Sequence, residues 1–289
     1  MTTILGLSSY YHDAAASIVK DGNIVAAAAE ERFSRKKHDY GFPTSAINFC
    51  LKEAGVTGDQ LDYVIFHEKP FVKFERLLTT ILETYPQSYT VFRESMLSWL
   101  KEKLWVKTTI MDKLGIKDDK KILFSDHHLS HASSAFFCSP FKESAIITAD
   151  AVGEWTTATV GYGKDNNITL LKELRFPHSF GLLYSTVTAF LGFEVNEGEY
   201  KVMGLAPFGK PKYKDKIYKL LNLKDDGSFA LSMKYFLFHR STSKMFNNEF
   251  EKLFGEPCPP EDREKIIPYY ADIAASLQEV FEEMLIKMA

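Results

Sequence analysis

The chain of 289 residues is long enough for one large domain or two of medium size. Its 45% hydrophobic and 25% charged residues are those of a globular protein, and a formal charge of −3 gives no general basis for nucleic-acid binding. Three cysteines, Cys50, Cys138 and Cys258, are far apart and odd in number, which points to reduced thiols and a cytoplasmic location rather than a disulfide framework. The opening "MTTILGLSSYYHD" lacks the basic segment of a signal peptide, and no stretch approaches the roughly 20 apolar residues of a membrane span.

In chain order, Thr3–Leu7 reads as a buried strand and Ser8–Asp13 as a loop. Ala14–Lys20 and Asn23–Ala29 read as two strands joined at Asp21-Gly22, a strong hairpin signal. Pro43–Ala54 reads as a helix, with Pro at its start and Gly55 at its end. Asp62–Phe66 is a short strand. Residues 70 to about 115 form one long, aromatic-rich helical stretch, and Lys121–Phe124 is another strand.

The first pattern then returns. Ala145–Glu173 again reads strand, loop, strand, turn, strand, and "ILGLS" aligns with "IITAD". Two similar α/β lobes are expected, over 1–142 and 143–289, each placing the loop after its first strand in a cleft. A helix follows at Gly181–Leu191, then the segment "NEGEYKVMGLAPFGKP", read as a Gly- and Pro-punctuated loop that carries Glu199, Lys201 and Gly204. Lys212–Leu221 and Phe246–Phe254 read as helices. A last helix runs from Asp262 to the end, with Ile273, Leu277, Val280, Met284 and Leu285 on its apolar side. The second lobe has fewer strands than the first. It is therefore expected to be incomplete in this chain, as the N-terminal part of a longer protein. On that expectation the last helix lacks its sheet, and its apolar face is hidden by self-association or frays.

Four segments carry possible chemistry. His127 and His131 in "SDHHLSH" are four apart, so on a helix they share one face and can reach one divalent ion. His128 points elsewhere. With Asp150, at the end of the next expected strand, they form a two-histidine, one-carboxylate set suited to Fe2+, Zn2+ or Mn2+. An incidental pair on a surface helix remains the alternative. In "DAVGEW" the carboxylate of Asp150 could hold a cation while Gly153 lets backbone N–H groups approach a phosphate; an ordinary turn has the same pattern. In the first loop His12 could act as general base toward a hydroxyl, or simply fill the loop. The run Glu30–Pro43 carries Arg32, Arg35, Lys36 and Lys37, which could hold phosphate or form a solvated turn.

Taken together, "YHDAAAS", "AEERFSRKKH", "DHHLSHASSAF", "DAVGEWTTAT", "PHSFGLLYSTVTAFLGF" and "EYKVMGLAPFG" resemble the motif series of the O-carbamoyltransferases of nodulation-factor and antibiotic biosynthesis, in order and spacing over nearly the whole chain. The resemblance implies duplicated lobes of the actin-like ATPase (ribonuclease H-like) type, similar to the tRNA threonylcarbamoyl transferase, followed by a YrdC-like domain expected beyond residue 289. In that family the YrdC-like domain makes carbamoyl-adenylate from carbamoyl phosphate and ATP. The actin-like part transfers the carbamoyl group to a hydroxyl of a small-molecule acceptor. Carried onto this chain, the resemblance implies metal ligands at His127, His131 and Asp150, with Fe2+ foremost. It implies a cleft histidine at His12 with Asp13 beside it and a basic residue near the adenylate at Lys37; Gly153 and Lys201, from the loops read above, are expected as further nucleotide-binding residues. Some members carry an acidic residue where this chain has Tyr10, and a further metal carboxylate would lie past residue 289. A non-catalytic nucleotide-binding module and a sugar-kinase-like phosphotransferase are the competing readings. The paired histidines count against the kinase. No membrane and no nucleic-acid partner is expected.

Overall fold

The computed structural model describes residues 2–263 and 265–289. It forms two compact units, one running up to Glu75 with Arg93–Ser130, the other Arg76–Phe92 with His131–Ala289.

The first unit is built on a five-stranded sheet, β1 (Thr3–Ser8), β2 (Ala15–Lys20), β3 (Asn23–Ala29), then β4 (Tyr63–Phe66) and β5 (Ile122–Phe124), in the order β3-β2-β1-β4-β5. β1, β2 and β3 pair antiparallel, and β4 and β5 add in parallel. Alternation sets the faces: Leu5, Leu7, Ala16 and Ile18 are buried while their neighbours are less so. Asp21 and Gly22 both take positive φ, 49° and 82°, as a two-residue hairpin of right-handed twist requires.

A short helix α1 (Glu31–Ser34) leads to α2 (Thr44–Ala54), which buries Ala46, Ile47, Cys50 and Ala54. Gly55 at φ 65° caps α2 in the left-handed conformation. At its other end the buried carboxylate of Glu30 accepts the N–H groups of Ser45 and Ala46, at 3.1 and 2.8 Å, where the helix dipole favours an anion.

The stretch expected as one helix from 70 to 115 is three: α3 (Pro70–Glu83), α4 (Tyr89–Lys101) and α5 (Val106–Leu114). Pro86 explains the first break, since it donates no hydrogen bond and bars the preceding residue from helical backbone. After β5 comes α6 (His127–Phe136). The first lobe was expected to extend to residue 142. The two units instead divide within α6, because its later residues Ala132 and Phe136 pack with Ile146 of the second unit.

The second unit repeats the opening motif as β6 (Glu143–Ala149), β7 (Thr156–Lys164) and β8 (Asn167–Arg175), all antiparallel in the order β6-β7-β8. Three antiparallel strands extended by parallel ones make an actin-like, ribonuclease H-like lobe, and the second sheet repeats its first three strands. The remaining elements are α7 (Phe180–Phe190), α8 (Glu199–Leu205), α9 (Lys214–Tyr218), a hairpin of β9 (Leu221–Leu223) and β10 (Phe229–Leu231), α10 (Asn248–Phe254) and α11 (Pro268–Met288).

Two expectations are corrected here. The segment 196–211 is not all loop, since Glu199–Leu205 forms α8. Glu199 at its start accepts from the Asn196 N–H at 3.0 Å, which caps the turn, and Val202 is fully buried. The last helix starts at Pro268 rather than Asp262, with proline at the first turn, where its missing N–H costs nothing. Its apolar face is not left without partners. Ile273, Leu277, Val280 and Met284 are at most 1% exposed and share a core with Phe180, Leu183, Val187 and Phe190 of α7. Helices of the same unit cover the face, so that ground for self-association is gone. Among the described residues no helix is long and apolar enough to cross a membrane.

Candidate active site

The chemistry-bearing residues of the first unit sit on loops at the ends of its strands, where an open α/β sheet places ligand groups. The loop between β1 and β2 is fastened to residues 38–40 by backbone hydrogen bonds, Tyr10 N–H to Tyr40 at 2.6 Å and Ala14 N–H to Asp39 at 2.7 Å. That pairing puts Asp13 between two histidines. His12 Nδ1 lies 2.7 Å from one carboxylate oxygen and His38 Nδ1 lies 2.8 Å from the other. Partial burial alone would raise the Asp13 carboxyl, but the hydrogen bonds from His38 and His12 outweigh it and hold it below its ordinary value. An ionised carboxylate only accepts, so both Nδ1 atoms carry a proton, and in the neutral ring of His12 the lone pair is then on Nε2. The φ values of Asp13 and His38, 50° and 53°, show backbone held in the left-handed region around this contact. Lys37, beside His38, is exposed.

A second cluster in this unit surrounds Glu68, two residues past β4. Glu68 and Lys73 are both buried, and the Lys73 ammonium lies 2.6 Å from Glu68 Oε2. His67 Nε2 and His127 Nδ1 approach the same oxygen at 3.6 and 3.7 Å. Burial pushes the His67 imidazole down to about 4, so it is neutral at physiological pH. Burial would raise the Glu68 carboxyl, but its contact with His127, the Lys73 charge and His67 prevail and hold it down at about 2. The start of α6 is tied to this cluster. Ser125 N–H reaches the Phe66 carbonyl at 3.0 Å, Asp126 pairs with Lys69 at 2.7 Å, and Ser130 Oγ donates to the His67 carbonyl at 2.9 Å. His128 is 2% exposed, so it belongs to the packing of α6. The same Lys73 ammonium lies over the Tyr11 ring, 4.6 Å from its centroid, and that ring is 4.7 Å from the ring of His12.

In the second unit His131 Nε2 lies 3.7 Å from Asp150 Oδ2. His127 is one helical turn earlier on α6. The Asp150 loop is held firmly. Its N–H donates to the Thr157 carbonyl at 2.9 Å, and Ser179, the N-cap of α7, donates to the Ala151 carbonyl at 2.7 Å. Gly181 presses so close that a Cβ there would meet Ala151 N at 2.6 Å. Gly153 lies in this loop. Its own N–H donates to the Thr156 carbonyl at 2.9 Å and closes the turn. Beside Asp150 a cavity of about 440 Å³ opens between the β6 end and helices α7, α8 and α11, lined among others by Ser185, Glu199, Tyr200 and Gln278. Ser185 Oγ donates to Glu199 at 2.6 Å. Lys201 does not join that lining. It is exposed, with its ammonium 5.9 Å from the Phe193 ring centroid.

Of the residues singled out in the sequence, the structure brings His12 to Asp13 and His131 to Asp150; His38, Glu68 and Lys73, which join these contacts or lie beside His127, were not among them. The available signal for Glu68 was its place just past a strand end, next to a histidine.

Residues 3–289 match the family described as carbamoyltransferase N-terminus. The chain is 50% identical over its whole length to an uncharacterized protein, sll1178, from Synechocystis, and covers 48% of that protein. It is 31% identical to the nodulation protein NolNO of Sinorhizobium fredii over 96% of its own length and 38% of the relative's. It therefore spans less than half the length of either. Similar solved structures include YeaZ from Pseudomonas aeruginosa, at 14% identity and a TM-score of 0.35 over 61% of this chain and 68% of that one. Component A of (R)-2-hydroxyglutaryl-CoA dehydratase from Acidaminococcus fermentans matches at 14% identity and 0.44 over 100% and 78%. Scores so low bear on no functional question. The family match does not depend on them: spanning residues 3–289, it shows that this chain belongs to the carbamoyltransferase N-terminus family.

Proposed function

We propose that this chain is the transfer part of an O-carbamoyltransferase, which moves a carbamoyl group from carbamoyl-adenylate to a hydroxyl of a small-molecule acceptor. The observation that carries the proposal is His131 Nε2 at 3.7 Å from Asp150 Oδ2, with His127 one turn before on the same helix. That separation is close to the spacing of two ligands each about 2.1 Å from a common ion, and two imidazoles with one carboxylate suit Fe2+, Zn2+ or Mn2+. His127, His131 and Asp150 would hold such an ion, which would supply a Lewis acid for the phosphate of the adenylate.

The other steps fall to the chain's own groups. The cavity beside Asp150 takes the nucleoside, with the Glu199 carboxylate and Tyr200 available for sugar hydroxyls and stacking. Lys37 is the basic group proposed for the adenylate side. His12, oriented through Nδ1 by Asp13, accepts the acceptor's hydroxyl proton at Nε2. The oxygen attacks the carbamoyl carbon, the bond to phosphate breaks, and AMP leaves. ATP and carbamoyl phosphate are substrates of the YrdC-like domain proposed to follow in the complete protein. A nucleotide-binding module without chemistry would share the cavity, but it has no use for a histidine oriented by Asp13. The test is binding of Fe2+ and of a non-hydrolysable carbamoyl-adenylate analogue by the wild type, His131→Ala and Asp150→Asn. Metal binding that both variants retain at wild-type strength overturns the reading.

A further inference from the structure

We propose that Glu68 is a positioning residue for the metal centre: its buried carboxylate, held by Lys73, sets His127 in the tautomer that presents Nε2 to the ion. This inference rests on the metal reading above.

The geometry is specific about which ring atom is used. It is Nδ1 of His127 that faces Glu68 Oε2, at 3.7 Å. A carboxylate only accepts, so the atom facing it is the one that carries hydrogen, and in the neutral ring the lone pair is then on Nε2. At 3.7 Å the contact is electrostatic rather than a hydrogen bond. It acts at low exposure on both sides, 13% for His127 and 8% for Glu68, where screening by water is small. Lys73 is what keeps Glu68 in place. Its ammonium lies 2.6 Å from the same oxygen and is itself 8% exposed. A buried pair of this kind is a poor source of stability compared with apolar packing. Its place beside a proposed ligand histidine has a simple physical use, because metal-bound imidazoles are oriented by a carboxylate or carbonyl on their other nitrogen. His131 and Asp150 need no such device from Glu68, which touches neither the proposed nucleotide nor the acceptor base. Its role is therefore confined to His127.

The test uses the complete protein and Co2+ as probe, with histidine labelled by ¹⁵N. Glu68→Gln alone strands the Lys73 charge, so the informative variant is Glu68→Gln with Lys73→Met, which replaces the pair by neutral groups of similar size. We expect this double variant to keep its circular dichroism and to bind Co2+ about 10- to 100-fold more weakly. In metal-free wild-type protein, long-range ¹H–¹⁵N spectra should show His127 protonated at Nδ1, and the double variant should show a mixture of tautomers. Wild-type His127 protonated at Nε2 overturns the proposal even if no variant folds. So does a folded double variant with unchanged Co2+ affinity. His131→Ala separates the two readings. If it binds Co2+ as tightly as wild type, the metal reading fails, and the tautomer measured without metal still decides the part played by Glu68.

Discussion

Asp13 and His38 lie 25 residues apart in the chain and meet at 2.8 Å, through the carboxylate oxygen that His12 does not use. One carboxylate thus holds two imidazoles, and Asp13 links His38 to His12. Replacing His12 by Asn should slow carbamoyl transfer by at least about 100-fold in the complete enzyme, the usual scale for losing a general base. His38→Ala should cost roughly 10-fold, the scale of one hydrogen bond to a charged group, with the turnover number falling and KM unchanged. Assays with synthetic carbamoyl-adenylate check both, and a His38 variant at wild-type speed would remove that residue from the site.

Metal content should separate the three histidines of α6. His127→Ala and His131→Ala should each lower it. His128→Ala should leave it intact and lower stability instead, because His128 is 2% exposed. Elemental analysis together with thermal melts of the purified variants distinguishes the two kinds of loss.

Gly181→Ala probes the seat of Asp150. The new methyl group would meet Ala151 N at 2.6 Å and the Asp150 carbonyl carbon at 2.9 Å, both backbone atoms. Overpacking of this kind costs about 1–3 kcal/mol. Because the atoms that must move carry Asp150, metal affinity should fall as well. Equal stability and affinity in the variant would mean that α7 shifts freely away from the loop.

Acid should weaken the second unit through His239. Burial, reinforced by the Arg240 charge, pushes its imidazole down to about 4 from an ordinary 6.5. Between those values the unfolded chain binds the proton and the folded one does not, so stability is full above pH 6.5 and falls as pH drops toward 4. Discounted for the partial exposure of the ring, the effect is about 1–2 kcal/mol. Urea unfolding followed across this range should slope less in His239→Leu than in wild type.

The last helix should behave as core. Leu277 is fully buried, and Leu277→Ala should cost about 2–5 kcal/mol. Ile286, on the same helix at 76% exposure, should cost well under 1 kcal/mol when cut to Ala. Hydrogen exchange over Pro268–Met288 gives the same answer without mutation: strong protection is expected, and fast exchange would show that the helix does not hold its place in the core.

Sequence alone determined the local features of this protein. Strand alternation, the Asp21-Gly22 turn, the recurrence of the three-strand motif and the four-residue spacing of His127 and His131 depend on neighbours along the chain, so period and turn chemistry express them directly. The tertiary structure decided whatever depends on which distant segments meet. Asp13 reaches His38 because residues 10–14 are bonded to residues 39 and 40. Glu68 faces His127 because β4 and β5 lie side by side and both lead into the same end of the sheet. The apolar side of α11 found its cover in α7, where strand counting had expected a sheet. Burial gives the reason for this division. A helix or strand shows in its periodicity that it has a face to hide, while the partner that hides it, and the polar groups enclosed with it, are set by the closure of the whole chain.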